Sequence, residues 1–193
     1  MQKIKDRIKE SIEVKERILG DPELTGRIEE AAEAVIRCLS NGGKVLLCGN
    51  GGSASDAMHI AGELVGRFQR ERSSLPAIAL NGDVTSMTSV ANDYGYDRVF
   101  ERFVEGFMNP GDVLIGISTS GNSENVYRAL IKAKEMGETT IALLGRGGGK
   151  IKDIPDISVV VPSDNTARVQ ESHIMIGHII CELAEESYVN GWK

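Results

Sequence analysis

Apolar residues recur along the chain with two periods. Over 1–19, Ile4, Ile8, Ile12 and Leu19 stand near helical spacing; Gly20, Asp21 and Pro22 then break that helix and open a second. The second carries Leu24, Ile28, Ala32, Val35, Ile36 and Leu39, and Asn41, Gly42 and Gly43 end it. Five short runs follow at 44–48, 76–80, 113–117, 139–144 and 157–161, with the length and bounding turns of buried strands. Helical patterns fill intervals at 55–68, 84–91, 99–107 and 125–136, and a last helix covers 166–189. Strands alternating with helices, rather than following one another as hairpins, predict an α/β fold: a three-layer α/β/α arrangement around a parallel sheet.

A chain of 193 residues suits one domain over 1–193, with a helical arm at 1–40 and a core at 44–193. The two leading amphipathic helices predict either an assembly arm or a cover for one sheet face, since amphipathicity does not identify the partner. The net charge of −6 argues against a nucleic-acid partner gripped by a broad basic face, and leaves room for a small anion held locally. Cys38, Cys48 and Cys181 are isolated within apolar patterns, which fits reduced buried thiols. Charged residues from Lys3 to Lys9 interrupt the N-terminal apolar positions, and no run is long and apolar enough for a bilayer; the expectation is a cytoplasmic protein without membrane attachment.

The turns after two of the strands carry candidate chemistry. The first strand leads into Gly49, Asn50, Gly51, Gly52 and Ser53, then a helix. Such a turn lets backbone N–H groups approach an anion at a helix N-terminus, though a plain tight turn capped by Ser53 has the same composition. Neither the dinucleotide-binding glycine spacing nor a phosphate-loop lysine is present. The third strand leads into Ser118, Thr119, Ser120, Gly121, Asn122 and Ser123, again before a helix. Four hydroxyls and a glycine exceed what one helix cap uses, and hydroxyls with backbone amides suit phosphate oxygens. Both loops sit where strands of a parallel sheet end, so together they predict a site for a phosphorylated sugar; two unrelated capped helices are the alternative.

His59 and Glu63, four residues apart in a helix, project from one face. The last helix offers Gln170, Glu171, His173 and His178 among Ile and Val. Imidazole and carboxylate are ordinary zinc ligands and a glutamine oxygen an unusual one, but the spacing matches no standard zinc motif, and taken by themselves histidines in such a setting are more often packed or capped residues satisfied by hydrogen bonds than ligands.

Taken together, these residues resemble the sugar isomerase (SIS) domain family and, within it, the phosphoheptose isomerases. The resemblance runs along essentially the whole chain, through Cys-Gly-Asn-Gly-Gly-Ser at 48–53, Asp-Ala-Met-His at 56–59 with Glu63 and Arg67, Ala-Asn-Asp-Tyr-Gly at 91–95, Gly-Ile-Ser-Thr-Ser-Gly-Asn-Ser at 116–123, and Arg168, Gln170, Glu171 and His178. It implies a five-stranded parallel sheet and a homotetramer with active sites at subunit interfaces, the two leading helices packing there. It implies one zinc ion per subunit, held by His59, Glu63, Gln170 and His178, and a sugar phosphate held by Asn50, Gly51, Gly52, Ser53, Asn92, Asp93, Ser118, Thr119, Ser120 and Ser123. Arg67, one turn beyond Glu63, is expected either at the substrate or paired with a neighbouring carboxylate. Some family members carry an acidic residue where this chain has Ala167, so no proton-handling role is assigned there.

The implied reaction converts sedoheptulose 7-phosphate to D-glycero-D-manno-heptose 7-phosphate, supplying heptose for lipopolysaccharide or a related glycan. Moving a carbonyl between neighbouring carbons requires proton removal, an ene-diol and proton return. Glu63 is expected to shuttle the carbon-bound proton and His178 the oxygen-bound one, with zinc stabilising the developing charge. Two alternatives stand beside it: a non-catalytic SIS regulator that binds the replication initiator, and an isomerase for another sugar phosphate.

Overall fold

The computed structural model describes residues 1–192. Two helices, α1 (Gln2–Leu19) and α2 (Pro22–Ser40), precede β1 (Val45–Gly49), α3 (Gly52–Val65), β2 (Ala77–Ala79), α4 (Val84–Tyr94) and α5 (Val99–Phe107). The chain continues through β3 (Val113–Ser118), α6 (Glu124–Glu135), β4 (Thr139–Leu144), β5 (Ile157–Val160) and α7 (Thr166–Val189), with short 3₁₀ turns at Tyr96–Arg98 and Arg146–Ile151. All strand pairs are parallel, in the order β2-β1-β3-β4-β5. The five-stranded three-layer α/β expectation is met.

Period-two alternation decides which residue serves which layer. Val45 and Leu47 of β1 point into an apolar cluster shared with α1, α2, α3 and α7, while Leu46 and Cys48 point into the opposite cluster under α5 and α6. Both faces are covered, so the strands are continuous apolar runs. The exception is β2, an edge strand that pairs only with β1 and is half-buried; it is shorter than the 76–80 expected. Leu80 N–H still donates to Leu47 O at 2.8 Å, so the pairing outlasts the regular strand geometry.

The other boundary differences have local causes. The α3 helix begins at Gly52 rather than 55, because Gly51 (φ 57°, ψ −120°) turns the chain in a conformation open to glycine. It ends at Val65 rather than 68, where Gly66 leaves helical geometry. The α4 helix runs to Tyr94, three residues past expectation, so Asn92 and Asp93 lie on helix rather than in a loop.

Chain order reverses at β1: β2 lies on one side and β3 on the other. The connections leaving β1 and β3 therefore diverge at the carboxyl edge, opening the crevice where open parallel sheets take ligands. Both candidate loops stand there. The α7 helix, long and buried along one side, lies beside α3; a Cβ on Gly177 would stand 2.5 Å from Ile60 Cδ1, so the two helices meet more closely than a larger residue permits. Among the described residues, no helix is long and apolar enough to cross a membrane.

Candidate active site

The two loops are joined across the crevice by an amide pair. Asn50 Nδ2 donates to Asn125 Oδ1 at 2.8 Å, and Asn125 Nδ2 donates back to Asn50 Oδ1 at 3.0 Å. Tyr96 Oη also donates to Asn50 Oδ1, at 3.0 Å. From the far side, Asn81 Oδ1 accepts from Gly49 N–H and its Nδ2 donates to Gly49 O. Neither Asn125, Tyr96 nor Asn81 was picked out from sequence. A buried or loop amide that pairs across 75 residues carries no local signal.

Neither helix after these loops is closed by a capping side chain: Ser53 does not cap α3, and Ser123 Oγ faces Ser118 Oγ at 2.9 Å instead of capping α6. Ser53 and Ser123 thus cap neither helix; in α3 the Ser53 N–H donates to Asn50 O at 3.0 Å and the Ala54 N–H to Gly51 O at 3.1 Å, and in α6 Asn125 Oδ1 accepts from the Val126 N–H at 3.0 Å. Ser118 is buried, Thr119, Ser120 and Ser123 half-buried. The loop's curvature depends on Gly121 (φ 66°), where a Cβ would sit 2.0 Å from Gly148 O. Asn122 secures the same turn, accepting from Lys150 N–H at 3.1 Å and donating to Ser120 O at 2.9 Å.

A second cluster forms where α3 and α7 touch. His59 Nε2 lies 3.0 Å from Glu63 Oε1 and 3.3 Å from His178 Nε2. One ligand atom from each of the three lies within 4.8 Å of the others. Donors about 2.0–2.1 Å from a tetrahedral zinc stand about 3.4 Å apart, so two imidazole nitrogens and a carboxylate oxygen at these separations fit such an ion. The cluster opens outward: the His59 side chain is 50% exposed and that of Glu63 24%. Phe68 packs over His178 with ring centroids 5.5 Å apart.

Gln170, the fourth expected ligand, lies two turns before His178, about 12 Å along α7. Its amide sits beneath Gly52, where a Cβ would stand 2.4 Å from Gln170 Nε2, and that nitrogen is 3.5 Å from Asp56 Oδ1. Asp56 is 6% exposed and its Oδ2 has no hydrogen-bond partner. Burial pushes its carboxyl above the usual carboxylate range, against the opposing pull of Gln170 and His59.

The remaining candidates fall elsewhere. His173 is fully buried, its Nε2 3.0 Å from Leu144 O, and burial lowers its pKa to about 4. It is a packed, hydrogen-bonded histidine. Glu171 accepts from Ser11 Oγ and Arg168 Nη2, while Arg168 Nη1 donates to Arg7 O, so both residues fasten α1 to α7. Arg67 is exposed and 3.9 Å from Glu71, the paired alternative. Asn92 and Asp93 are exposed and bonded to each other at 2.8 Å. Ala167 sits in the first turn of α7, its N–H bound by Asn165 Oδ1.

Comparison with known proteins agrees with this architecture. The model of the SIS domain family matches residues 8–145. A phosphoheptose isomerase of Clostridium acetobutylicum is 55% identical over 183 residues, 95% of this chain and 93% of that protein. Among solved structures, the phosphoheptose isomerase of Neisseria gonorrhoeae superposes with a TM-score of 0.88 at 43% identity, covering 96% of this chain and 98% of that one. That of Francisella tularensis gives 0.91 at 41% identity, covering 96% and 97%.

Proposed function

This chain belongs to the SIS-domain family and, within it, to the phosphoheptose isomerases; from that premise we propose how it interconverts sedoheptulose 7-phosphate and D-glycero-D-manno-heptose 7-phosphate in heptose biosynthesis. The observation that carries the reading is the convergence of His59, Glu63 and His178 at the α3–α7 contact. An aldose–ketose isomerase needs one group that takes a proton from carbon and one that moves a proton between oxygens. Glu63 is the carbon-side base and His178 the oxygen-side acid/base. A regulator that only binds sugar phosphate has no use for this pair.

The loops after β1 and β3 anchor the phosphate through the hydroxyls of Ser53, Ser118, Thr119, Ser120 and Ser123, with Asn50, Gly51 and Gly52 shaping the approach. That remote grip supplies orientation at the reacting carbons. His59, Glu63 and His178 are the residues that would hold zinc, and the ion would supply charge stabilisation at the substrate oxygens; Gln170, its amide beneath Gly52 and two turns away along α7, stands apart from these three within one subunit.

Gly52 opens α3, and Glu63 lies about three turns, roughly 16 Å, along it. Within one subunit the phosphate loops and the acid/base pair thus lie toward opposite ends of α3. A homotetramer whose active sites form at subunit interfaces would bring the loops of one copy to the pair of another. The exposed Ile4, Ile8 and Ile12 of α1, and an apolar groove between α1, α2 and α7 lined by Leu19, Met175, Ile179 and Leu183, favour that assembly.

Purified protein incubated with sedoheptulose 7-phosphate, with and without zinc, is followed by NMR. Appearance of the heptose aldose is expected; a folded protein that binds the sugar phosphate and never converts it would reject the activity.

A further inference from the structure

We infer that Arg72 and Glu185 are positioning residues for the acid/base pair, a buried clamp that fixes Glu63 and His178 relative to each other; this rests on the reading of those two as the pair. The side chains of Arg72 and Glu185 are 1% and 2% exposed, with Arg72 Nε 3.1 Å from Glu185 Oε1. Arg72 also donates from Nη2 to Glu63 O and from Nη1 to Leu64 O, each at 2.8 Å. It thereby holds the peptide carbonyl of Glu63 itself. Those carbonyls belong to the last turn of α3, which has no basic residue of its own to satisfy them.

Glu185 works on the other side. It accepts backbone N–H groups from Phe68, Gln69 and Arg70 at 2.7–2.9 Å, pinning the segment after α3. Burial alone would raise its carboxyl, but the three N–H donors and Arg72 hold it below the usual range. The pinned segment presents the Phe68 ring to His178. Glu185 stands two turns beyond His178 on the same face of α7. The clamp therefore reaches Glu63 through its backbone and His178 through Phe68.

A buried ion pair is a poor source of stability, since a packed apolar pair of similar volume serves as well. What this pair adds is direction. A planar guanidinium addresses several carbonyls at once, and a carboxylate collects three N–H groups; neither residue has an unpartnered buried atom. Small misplacements of a catalytic group cost up to about 100-fold in rate, which is the scale on which such a clamp acts.

The test compares Glu185→Gln, Arg72→Lys and Phe68→Leu in the full chain at saturating zinc, below each variant's melting temperature. Expected for Glu185→Gln is a kcat about 10-fold or more lower with KM changed less than about 3-fold, faster hydrogen exchange at Phe68, Gln69 and Arg70, and displaced His178 imidazole NMR signals. Phe68→Leu is expected to lower kcat by roughly 3-fold, and the double variant to lose less than the product of the two, because both act through one segment. Folded variants with wild-type kcat and unmoved His178 signals would overturn the clamp. Should Glu185→Gln or Arg72→Lys not fold, Phe68→Leu decides by the same readouts, since its half-buried ring is not needed for the ion pair. Glu63→Gln separates the two layers of inference. If it stays active, the acid/base reading fails and the clamp with it; if it is inactive while the clamp variants keep full kcat, only the clamp fails.

Discussion

The loops after β1 and β3 take their turns from their own glycines and hydroxyls and are then tied down by distant residues, whereas the His59–Glu63–His178 cluster exists only because α3 packs on α7. Within the loops, Gly51 and Gly121 take positive φ, and Ser118 meets Ser123 five positions away. In the cluster, His178 meets His59 across 119 positions. Binding thus rests on turns whose shape is local, and chemistry on a contact that helix packing has to hold. Mutations in the two regions should accordingly damage different things.

The largest effect is expected from Glu63→Gln, which keeps the size of the side chain and removes its base. Steady-state kinetics should show kcat down by about 10²–10⁴-fold with KM nearly unchanged. A loss confined to KM would move Glu63 into the binding half and erase the distinction. Gly121→Ala breaks the other half at its backbone: a Cβ 2.0 Å from Gly148 O, at φ 66°, has nowhere to go. Denaturant unfolding should show a loss of more than about 3 kcal/mol, or no soluble protein. Wild-type stability would mean that the loop is less fixed than its bonds to the 145–151 segment imply.

Two histidines of α7 sharpen the comparison. His178 faces outward into the cluster, while His173 faces inward to Leu144 with its pKa lowered to about 4. Between its ordinary value of 6.5 and about 4, the unfolded chain binds a proton that the folded chain refuses. Stability should therefore fall as pH drops through that window, by about 3 kcal/mol in all, and level off below it. Unfolding midpoints against pH would show a shallower slope for His173→Gln; an unchanged slope would assign the acid sensitivity elsewhere. The smallest effect belongs to Ser123→Ala, which removes one hydroxyl from the serine pair. KM for the sugar phosphate should rise by roughly 10-fold with kcat little changed, as for one lost hydrogen bond to a charged group. A kcat effect without a KM effect would place Ser123 among the reacting atoms.

Much of the architecture follows from local pattern. Each of the five strands was signalled by a short apolar run, and β4 and α7 keep the expected limits because both ends carry clear signals. Limits shifted where a glycine turn or an edge strand overrode periodicity, as at Gly51 and β2. Both loops, with their glycines and hydroxyls, were legible because all of their chemistry lies within six consecutive residues. His59 and Glu63 were legible as a pair for the same reason: four residues apart on a helix means one face.

Which faces meet is another matter. Composition and spacing did not separate His178 from His173, and the family resemblance alone singled out His178; the rotation of α7 against the sheet is what sends one inward and one outward. Gly177 permits the α3–α7 approach that brings His178 to His59, but its reason appears only beside Ile60. Glu171, a candidate by composition, and Arg168, named by the family resemblance, are taken up by α1; Arg72 and Glu185, unremarked in the pattern, form a buried ion pair beside the site. A residue's spacing fixes its direction on its own helix or strand, because backbone geometry is local. Its partners are fixed by strand order and helix packing, which sum contacts over the whole chain, and only the tertiary structure decided those.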